Sequence, residues 1–104
     1  MDTNDLSRET HNAIIDTAEM FHHDLTLQFG VLAYGCNTDD EYLDESELLI
    51  KEWLTDWELE EVMMEIFFDD PPRKQDFKKV LGKILTNIEK VRKIPIEQRK
   101  FDLW

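Results

Sequence analysis

The chain has 104 residues, of which 41% are apolar, and its 24 Asp and Glu against 12 Lys and Arg give a net charge of −12. This length suits one modest core, so we expect a single domain over residues 1–104. The negative charge argues against a nucleic acid as ligand, because phosphate contacts need clustered Lys and Arg. The charge is also uneven. Residues 1–70 hold 20 acidic residues against Arg8 and Lys51, whereas residues 71–104 hold 4 against 10.

Cysteine, glycine and proline usage narrows the class of protein. Cys36 is the single cysteine, which excludes an internal disulfide framework and a Cys-x-x-Cys motif. The start, MDTNDLSRET, has neither a basic nor an apolar signal segment, and no eighteen apolar residues run together. We therefore expect a cytoplasmic protein with no membrane contact. Only three Gly and three Pro occur, and alternating strand patterns are absent, so the sequence predicts an all-α fold.

The first predicted helix spans about residues 6–35, and Gly30 or Gly35 could kink or end it. It carries two apolar stripes on nearly opposite sides. The first consists of Ile14, Ala18, Phe21, Leu25, Phe29 and Leu32, and the second of Ala13, Met20, Leu27, Val31 and Tyr34. A helix that is apolar on two sides needs two partners. Either this helix runs through the middle of its own bundle, or the second stripe contacts another copy in a homodimer.

Two capping boxes, Thr38-Asp-Asp-Glu41 and Thr55-Asp-Trp-Glu58, predict the starts of the second and third helices at about residues 40–54 and 56–69. Helical spacing predicts that the second helix buries Leu43, Ile50, Trp53 and Leu54. The third should bury Leu59, Val62, Met63, Ile66 and Phe67. The outer faces of both helices are almost purely acidic, with residues Asp39, Asp40, Glu41, Asp44, Glu45 and Glu47 on the second.

The fourth predicted helix, at about residues 72–93, has the clearest pattern. Its apolar stripe is Phe77, Val80, Leu81, Ile84, Leu85, Ile88 and Val91, with lysines on the other side. Pro71 and Pro72 suit its start, and Pro95 ends it. The tail over residues 95–104 ends in Phe101, Leu103 and Trp104, so we expect it to dock, either on its own bundle or on a partner. Together the elements predict a compact four-helix bundle with one long N-terminal helix and up-down topology.

The segment EMFHHD contains Glu19-x-x-His22, half of the motif that dinuclear carboxylate bundles use twice. A second copy of the motif is absent. Glu61 and Glu65, one helical turn apart, could complete a mononuclear site with Glu19 and His22, and we keep this metal-binding bundle as the alternative hypothesis. We favour a histidine without a ligand role, because nothing in the local pattern turns Glu61 and Glu65 inward. No cofactor is expected.

Enzymatic activity is not expected. Cys36 follows a glycine near a helix end without a histidine close in sequence, and Gly-rich phosphate loops, the nucleophile elbow and HExxH are absent. Pairs of carboxylates carry no information in a chain in which acidic residues make up almost a quarter of the whole.

The acidic surface is the remaining signal. It could serve only solubility, and the Lys-rich fourth helix could neutralise part of it. However, concentrated negative charge costs stability and attracts basic partners. We therefore expect a small protein-protein interaction module, of the inhibitor or immunity type, that binds a basic protein. The predicted partner-binding residues are Asp56, Glu58, Glu60, Glu61, Met64, Glu65, Phe68 and Asp69, with Met64 and Phe68 as apolar anchors off the core stripe.

Overall fold

The computed structural model describes residues 1–55, 59–68 and 70–101, and within these residues the chain is helical without a strand. The described residues form five helices in succession: α1 over residues 8–21, α2 His23–Ala33, α3 Asp39–Thr55, α4 Leu59–Phe67 and α5 Lys74–Arg92. Short 3-10 turns lie at Thr3–Asp5 and Ile96–Gln98. The all-α prediction is confirmed. The predicted up-down order of the helices stays a prediction.

The prediction of one long N-terminal helix is wrong, because the helix breaks at His22. This residue has extended backbone angles (φ −164°, ψ 132°), and its Nδ1 accepts a hydrogen bond from the Asp24 N–H at 3.1 Å. His22 thus ends α1 and is the N-cap of α2. Histidine is not among the usual N-cap residues, so the sequence around residue 22 shows no capping signal. The apolar spacing also continues through this position and therefore does not indicate a break. Gly30 lies within α2 without interrupting it, and Gly35 follows the end of the helix.

The middle of α1 is a π-helical turn, Asn12–Asp16. The wider turn sets the Thr17 hydroxyl against the Asn12 carbonyl, to which it donates at 3.1 Å. The neighbouring Ala13 carbonyl instead accepts from the Asn87 side chain of α5 at 3.1 Å. The irregular turn is therefore a polar cross-link between α1 and α5, because such turns release backbone carbonyls from the regular ladder.

The core lies where α5 packs against α1 and α3, and α2 against α3 and α4. The predicted stripe of α5 is confirmed, with Leu85 only half-buried, and α3 and α4 bury their predicted residues except for half-buried Leu54 and Val62. A chain of aromatic contacts joins four helices. Ring centroids lie 5.9 Å apart for Phe29 and Trp53, 6.0 Å for Trp53 and Phe77, and 5.4 Å for Phe77 and Phe67. The Phe29–Trp53 and Phe77–Phe67 pairs are edge-to-face, an arrangement that stabilises a core beyond its buried area.

The first capping box is present at the start of α3. The Thr38 hydroxyl accepts from the Glu41 N–H at 3.1 Å, and the Glu41 carboxylate accepts from the Asn37 N–H at 3.1 Å. The carboxylate thus reaches one residue further back than the standard box requires. The second box falls partly on Asp56, Trp57 and Glu58, which lie outside the described residues.

A buried polar cluster, here called the latch, joins three distant parts of the chain: Ser7, Thr10, Asp39 and Arg99. The Asp39 carboxylate accepts from the Ser7 N–H at 2.9 Å, from the Thr10 hydroxyl at 2.7 Å and from Arg99 Nη1 at 2.9 Å. The Asp39 and Arg99 side chains are only 1% and 3% exposed. Asp39 was expected on the acidic surface; it is buried because these donors satisfy its charge.

The latch docks the tail on the molecule's own bundle as far as Lys100. Arg99 Nε donates to the Ile94 carbonyl at 3.0 Å, and the Lys100 carbonyl accepts from the Arg8 N–H at 2.6 Å. Phe101 is exposed. Leu103 and Trp104, two of the expected apolar anchors of the tail, lie outside the described residues.

Candidate protein-binding face

Five exposed side chains share one side of α4 and its end: Glu60, Glu61, Met64, Glu65 and Phe68, here called the α4 face. Helical spacing places Glu60, Glu61, Met64 and Glu65 within about 140° around the helix axis, at 100° per residue, and Phe68 follows directly after the last helical residue. The opposite side of α4 is buried in the core through Leu59, Met63, Ile66 and Phe67. The face thus presents two large apolar side chains among three carboxylates on a helix that the core holds in place.

Phe68 ends α4 in an unusual backbone conformation. Its φ of 53° lies in the left-handed region, which favours glycine. Its N–H donates to the Met64 carbonyl at 3.0 Å, which is the hydrogen bond of a left-handed helix cap. Its side chain is 71% exposed, so burial of the ring does not offset the backbone strain. Strained residues of this kind occur disproportionately at functional sites.

A shallow crevice adjoins the α4 face, with which it shares Glu60 and Met64. Met63, Pro71, Pro72 and Lys74 complete its lining, and its volume is about 290 Å³. Ligand pockets for drug-sized molecules usually exceed this size, so the crevice suits one inserted side chain. The two methionines can adapt to different shapes, because their side chains are flexible and polarizable.

Among the described residues, the acidic surface divides into a part that arginines neutralise and a part without ion pairs. On α3, Arg92 contacts Asp44 at 2.7 Å and Glu47 at 2.8 Å, and Arg99 reaches Asp40 at 2.7 Å. The hydrogen bonds from Arg92 lower the pKa of Glu47. The arginines of α5 and the tail, rather than the lysines of α5, therefore meet these carboxylates.

The three carboxylates of the α4 face behave differently. Within residues 1–55, 59–68 and 70–101, none of Glu60, Glu61 and Glu65 forms an ion pair with a Lys, Arg or His side chain. Their negative charge is thus open to solvent, and Met64 beside them is 62% exposed. Asp56, Glu58 and Asp69, the other predicted partner-binding residues, lie outside the described residues.

The residues of the metal-binding hypothesis are arranged differently from the sequence expectation. Because α1 ends at Phe21, Glu19 and His22 do not share a helical surface, and Glu19 lies 3.4 Å from His23 instead. His22 caps α2 through its Nδ1, and its ring packs edge-on against the ring of Phe67, with 4.8 Å between the ring centroids. Glu61 and Glu65 are exposed on α4. In the described part of the chain, His, Cys, Asp and Glu form no group of three or more that could hold a metal ion.

Cys36 is buried in the middle of the loop between α2 and α3, with Sγ 3.5 Å from the Leu32 carbonyl. Burial raises the pKa of this thiol, and the charges of Glu41 and Glu45 raise it further. The thiol is therefore protonated at neutral pH, whereas a nucleophilic cysteine needs the opposite shift.

Two features of the α4 face could not be read from residue spacing. Spacing places Met64 and Phe68 off the core stripe, but it does not give the left-handed backbone of Phe68, which only glycine or asparagine would signal. The crevice depends on how Pro71 and Pro72 return along α4. In the sequence the two prolines predict only the start of a helix, and the helix begins two residues later, at Lys74.

Comparison with known proteins finds no matching family model, no matching curated protein and no matching solved structure. In the part of the chain that the structure describes, no helix has the length and apolar character that crossing a bilayer requires.

Proposed function

We propose that the protein is a protein-protein interaction module whose α4 face binds a basic partner. The observation that carries this proposal is the exposure of Phe68 in a strained left-handed conformation, beside Met64 and three exposed carboxylates that form no ion pair with the described residues. A solubilising surface needs charge, but it does not need two large apolar side chains in solvent.

The two kinds of side chain have different roles in this proposal. Glu60, Glu61 and Glu65 attract a basic surface over a distance of about a Debye length, which speeds the encounter. Met64 and Phe68 then bury apolar area against the partner, which slows dissociation. The adjacent crevice accepts one apolar side chain of the partner. The partner we infer is accordingly a Lys- or Arg-rich helix or loop that carries an apolar anchor.

The test uses a synthetic amphipathic helical peptide with Lys and Arg rows flanking Leu and Phe anchors. Amide chemical-shift changes in the labelled protein locate its binding, and fluorescence anisotropy measures affinity at low and high salt. We expect the shifts on α4 and around Pro71 and Pro72, with affinity that falls as salt rises. Phe68→Asp and the pair Glu60→Lys with Glu61→Lys should each weaken binding strongly.

The matched control reverses two charges elsewhere. Glu45 and Glu52 are exposed carboxylates on α3, so Glu45→Lys with Glu52→Lys changes the net charge by the same amount as the α4 pair. We expect this control to keep most of the affinity. Equal losses for the α3 and α4 pairs would show that only net charge matters, and shifts that avoid α4 would refute the proposal.

A further inference from the structure

A second apolar surface lies on α2, on the side away from the core. Leu27, Gly30, Val31 and Tyr34 follow the i, i+3, i+4, i+7 spacing of one helix face, here called the α2 seam. Leu27 is 51% exposed, and Val31 and Tyr34 are each 70% exposed. The other side of α2, with Leu25, Phe29 and Ala33, is completely buried. The helix is therefore apolar on both sides, and its own bundle covers one of them.

The α2 seam is also free of charge. The stretch LTLQFGVLAYGCNT, residues 25–38, contains no Asp, Glu, Lys, Arg or His, although 35% of the chain is charged. It is the longest uncharged stretch of the sequence. The helix residues of the seam offer a basic partner no carboxylate, and one acidic residue from outside the helix, Asp2, lines the hollow beside them. Two copies that each carry −12 repel one another elsewhere, so this weakly charged apolar face is where they can meet with a low electrostatic cost.

The shape of the α2 seam suits a copy of itself. A Cβ added to Gly30 would meet nothing within 4 Å, so the helix has a gap at the centre of the seam. Around this gap is a hollow of about 280 Å³, whose apolar lining is Ile15, Leu27, Val31 and Tyr34 and whose polar lining is Asp2, Thr3 and Thr26. Gly30 thus lets a second helix approach closely, while the flanking side chains fill the space on either side.

We propose that the protein forms a homodimer in which the α2 helices of two copies cross antiparallel at Gly30. In this arrangement Leu27 of one protomer contacts Tyr34 of its partner, and the two Val31 side chains lie near the two-fold axis. The exposed apolar part of the seam is on the order of a few hundred Å², less than the roughly 800 Å² that each partner buries in a standard interface. The dimer is therefore reversible and depends on concentration.

Sedimentation equilibrium over a range of concentrations tests the dimer. We expect the mass to rise from monomer to dimer in the unsubstituted protein and Val31→Glu to raise the dissociation constant by about a hundredfold, because two like charges then meet at the axis. Gln28→Glu is the matched control, since Gln28 is exposed on the same helix but off the seam. A protein that stays monomeric throughout, or equal effects of the two substitutions, would overturn the proposal.

A disulfide cross-link locates the crossing point. With Cys36 replaced by alanine, Gly30→Cys places two thiols at the proposed crossing, where the Cα atoms come within the 7 Å that a disulfide allows. An added mild oxidant should join this variant into a covalent dimer and leave Gln28→Cys unlinked. Circular dichroism checks that both variants are folded. Equal cross-linking of the two would refute the proposed crossing.

Salt distinguishes this dimer from another arrangement, in which the α4 face of one copy contacts the lysines of α5 in the next. Added salt should strengthen the α2 dimer, because it screens the repulsion between two negative copies. A dimer that dissociates in salt would favour the α4–α5 contact and contradict the α2 seam. Phe68→Asp should leave the α2 dimer intact, so the two proposals succeed or fail separately.

Discussion

Replacing Phe68 by glycine and, separately, by alanine measures the strain at the end of α4. Both substitutions remove the ring and whatever contact it makes, so this loss cancels when the two variants are compared. What remains is the response of the backbone to a Cβ at a φ of 53°. In this left-handed conformation a Cβ costs roughly 1–2 kcal/mol, so the glycine variant should be more stable than the alanine variant by about 1 kcal/mol.

The sign of the difference in unfolding free energy between the glycine and alanine variants decides the test. If residue 68 were simply the last residue of a right-handed helix, alanine would be favoured over glycine by about 1 kcal/mol. The two possibilities thus differ by about 2 kcal/mol. Urea unfolding gives the free energies, and thermal unfolding should show a higher Tm for glycine by about 4–8 °C in a domain of this size. An alanine variant as stable as the glycine variant would refute the strain.

The same pair of variants separates binding from folding. Burying a Phe side chain contributes about 1.5–3 kcal/mol, so both variants should bind the basic peptide roughly 10- to 100-fold more weakly. The glycine variant would then be the more stable of the two and still bind poorly. If it bound as tightly as the unsubstituted protein, Phe68 would not be an anchor of the α4 face.

Three further predictions follow from the ion pairs and the thiol. Arg99→Leu removes the cation that pairs with the buried Asp39 carboxylate, so it should lower the free energy of unfolding by about 3–5 kcal/mol. Arg92→Leu should lower it by only about 1–2 kcal/mol, because the carboxylates that Arg92 contacts are more exposed. Urea unfolding that ranks the two variants in the other order would contradict the role of burial. Because the pKa of Glu47 is lowered in the folded protein, the ion pair with Arg92 stabilises the fold above the ordinary pKa of 4.5, and this stabilisation is lost as the pH falls through the folded pKa. The loss of unfolding free energy caused by Arg92→Leu should therefore be smaller in acid than at pH 7. An equal loss at both pH values would argue against the Glu47 pair. Cys36 should react with a thiol reagent only as fast as local unfolding exposes it, because the thiol is buried and its pKa is raised. Rapid labelling of the folded protein would instead show that the Cys36 thiol is accessible.

Helical spacing predicted the fold where one side of a helix decides its packing. In α5 six of the seven predicted apolar residues are buried and Leu85 is half-buried, because the spacing of all seven points to the same side of the helix. Spacing could not show that α1 and α2 are separate, since their stripes continue in phase through His22. The break depends on a ring nitrogen accepting a backbone N–H, a local interaction that leaves no periodic signal.

Asp39 shows a different limit of sequence reasoning. It is one of two adjacent aspartates, and only Asp40 is exposed. The difference comes from Ser7, Thr10 and Arg99, which lie 32, 29 and 60 residues away along the chain. A single sequence gives no measure of such long-range pairing. The acidic surface at the start of α3 is consequently smaller than the sequence predicts. The exposed carboxylates of α4 keep their negative charge.

The latch has a consequence for biosynthesis. A chain that leaves the ribosome N-terminus first exposes Ser7, Thr10 and Asp39 long before the guanidinium that completes their cluster has been added. Contacts between residues so far apart in sequence form slowly. The apolar helices can therefore collapse early, with Asp39 held only by its hydrogen bonds from Ser7 and Thr10. Arg99 is the last member to arrive, and the carboxylate gains its cationic partner only then.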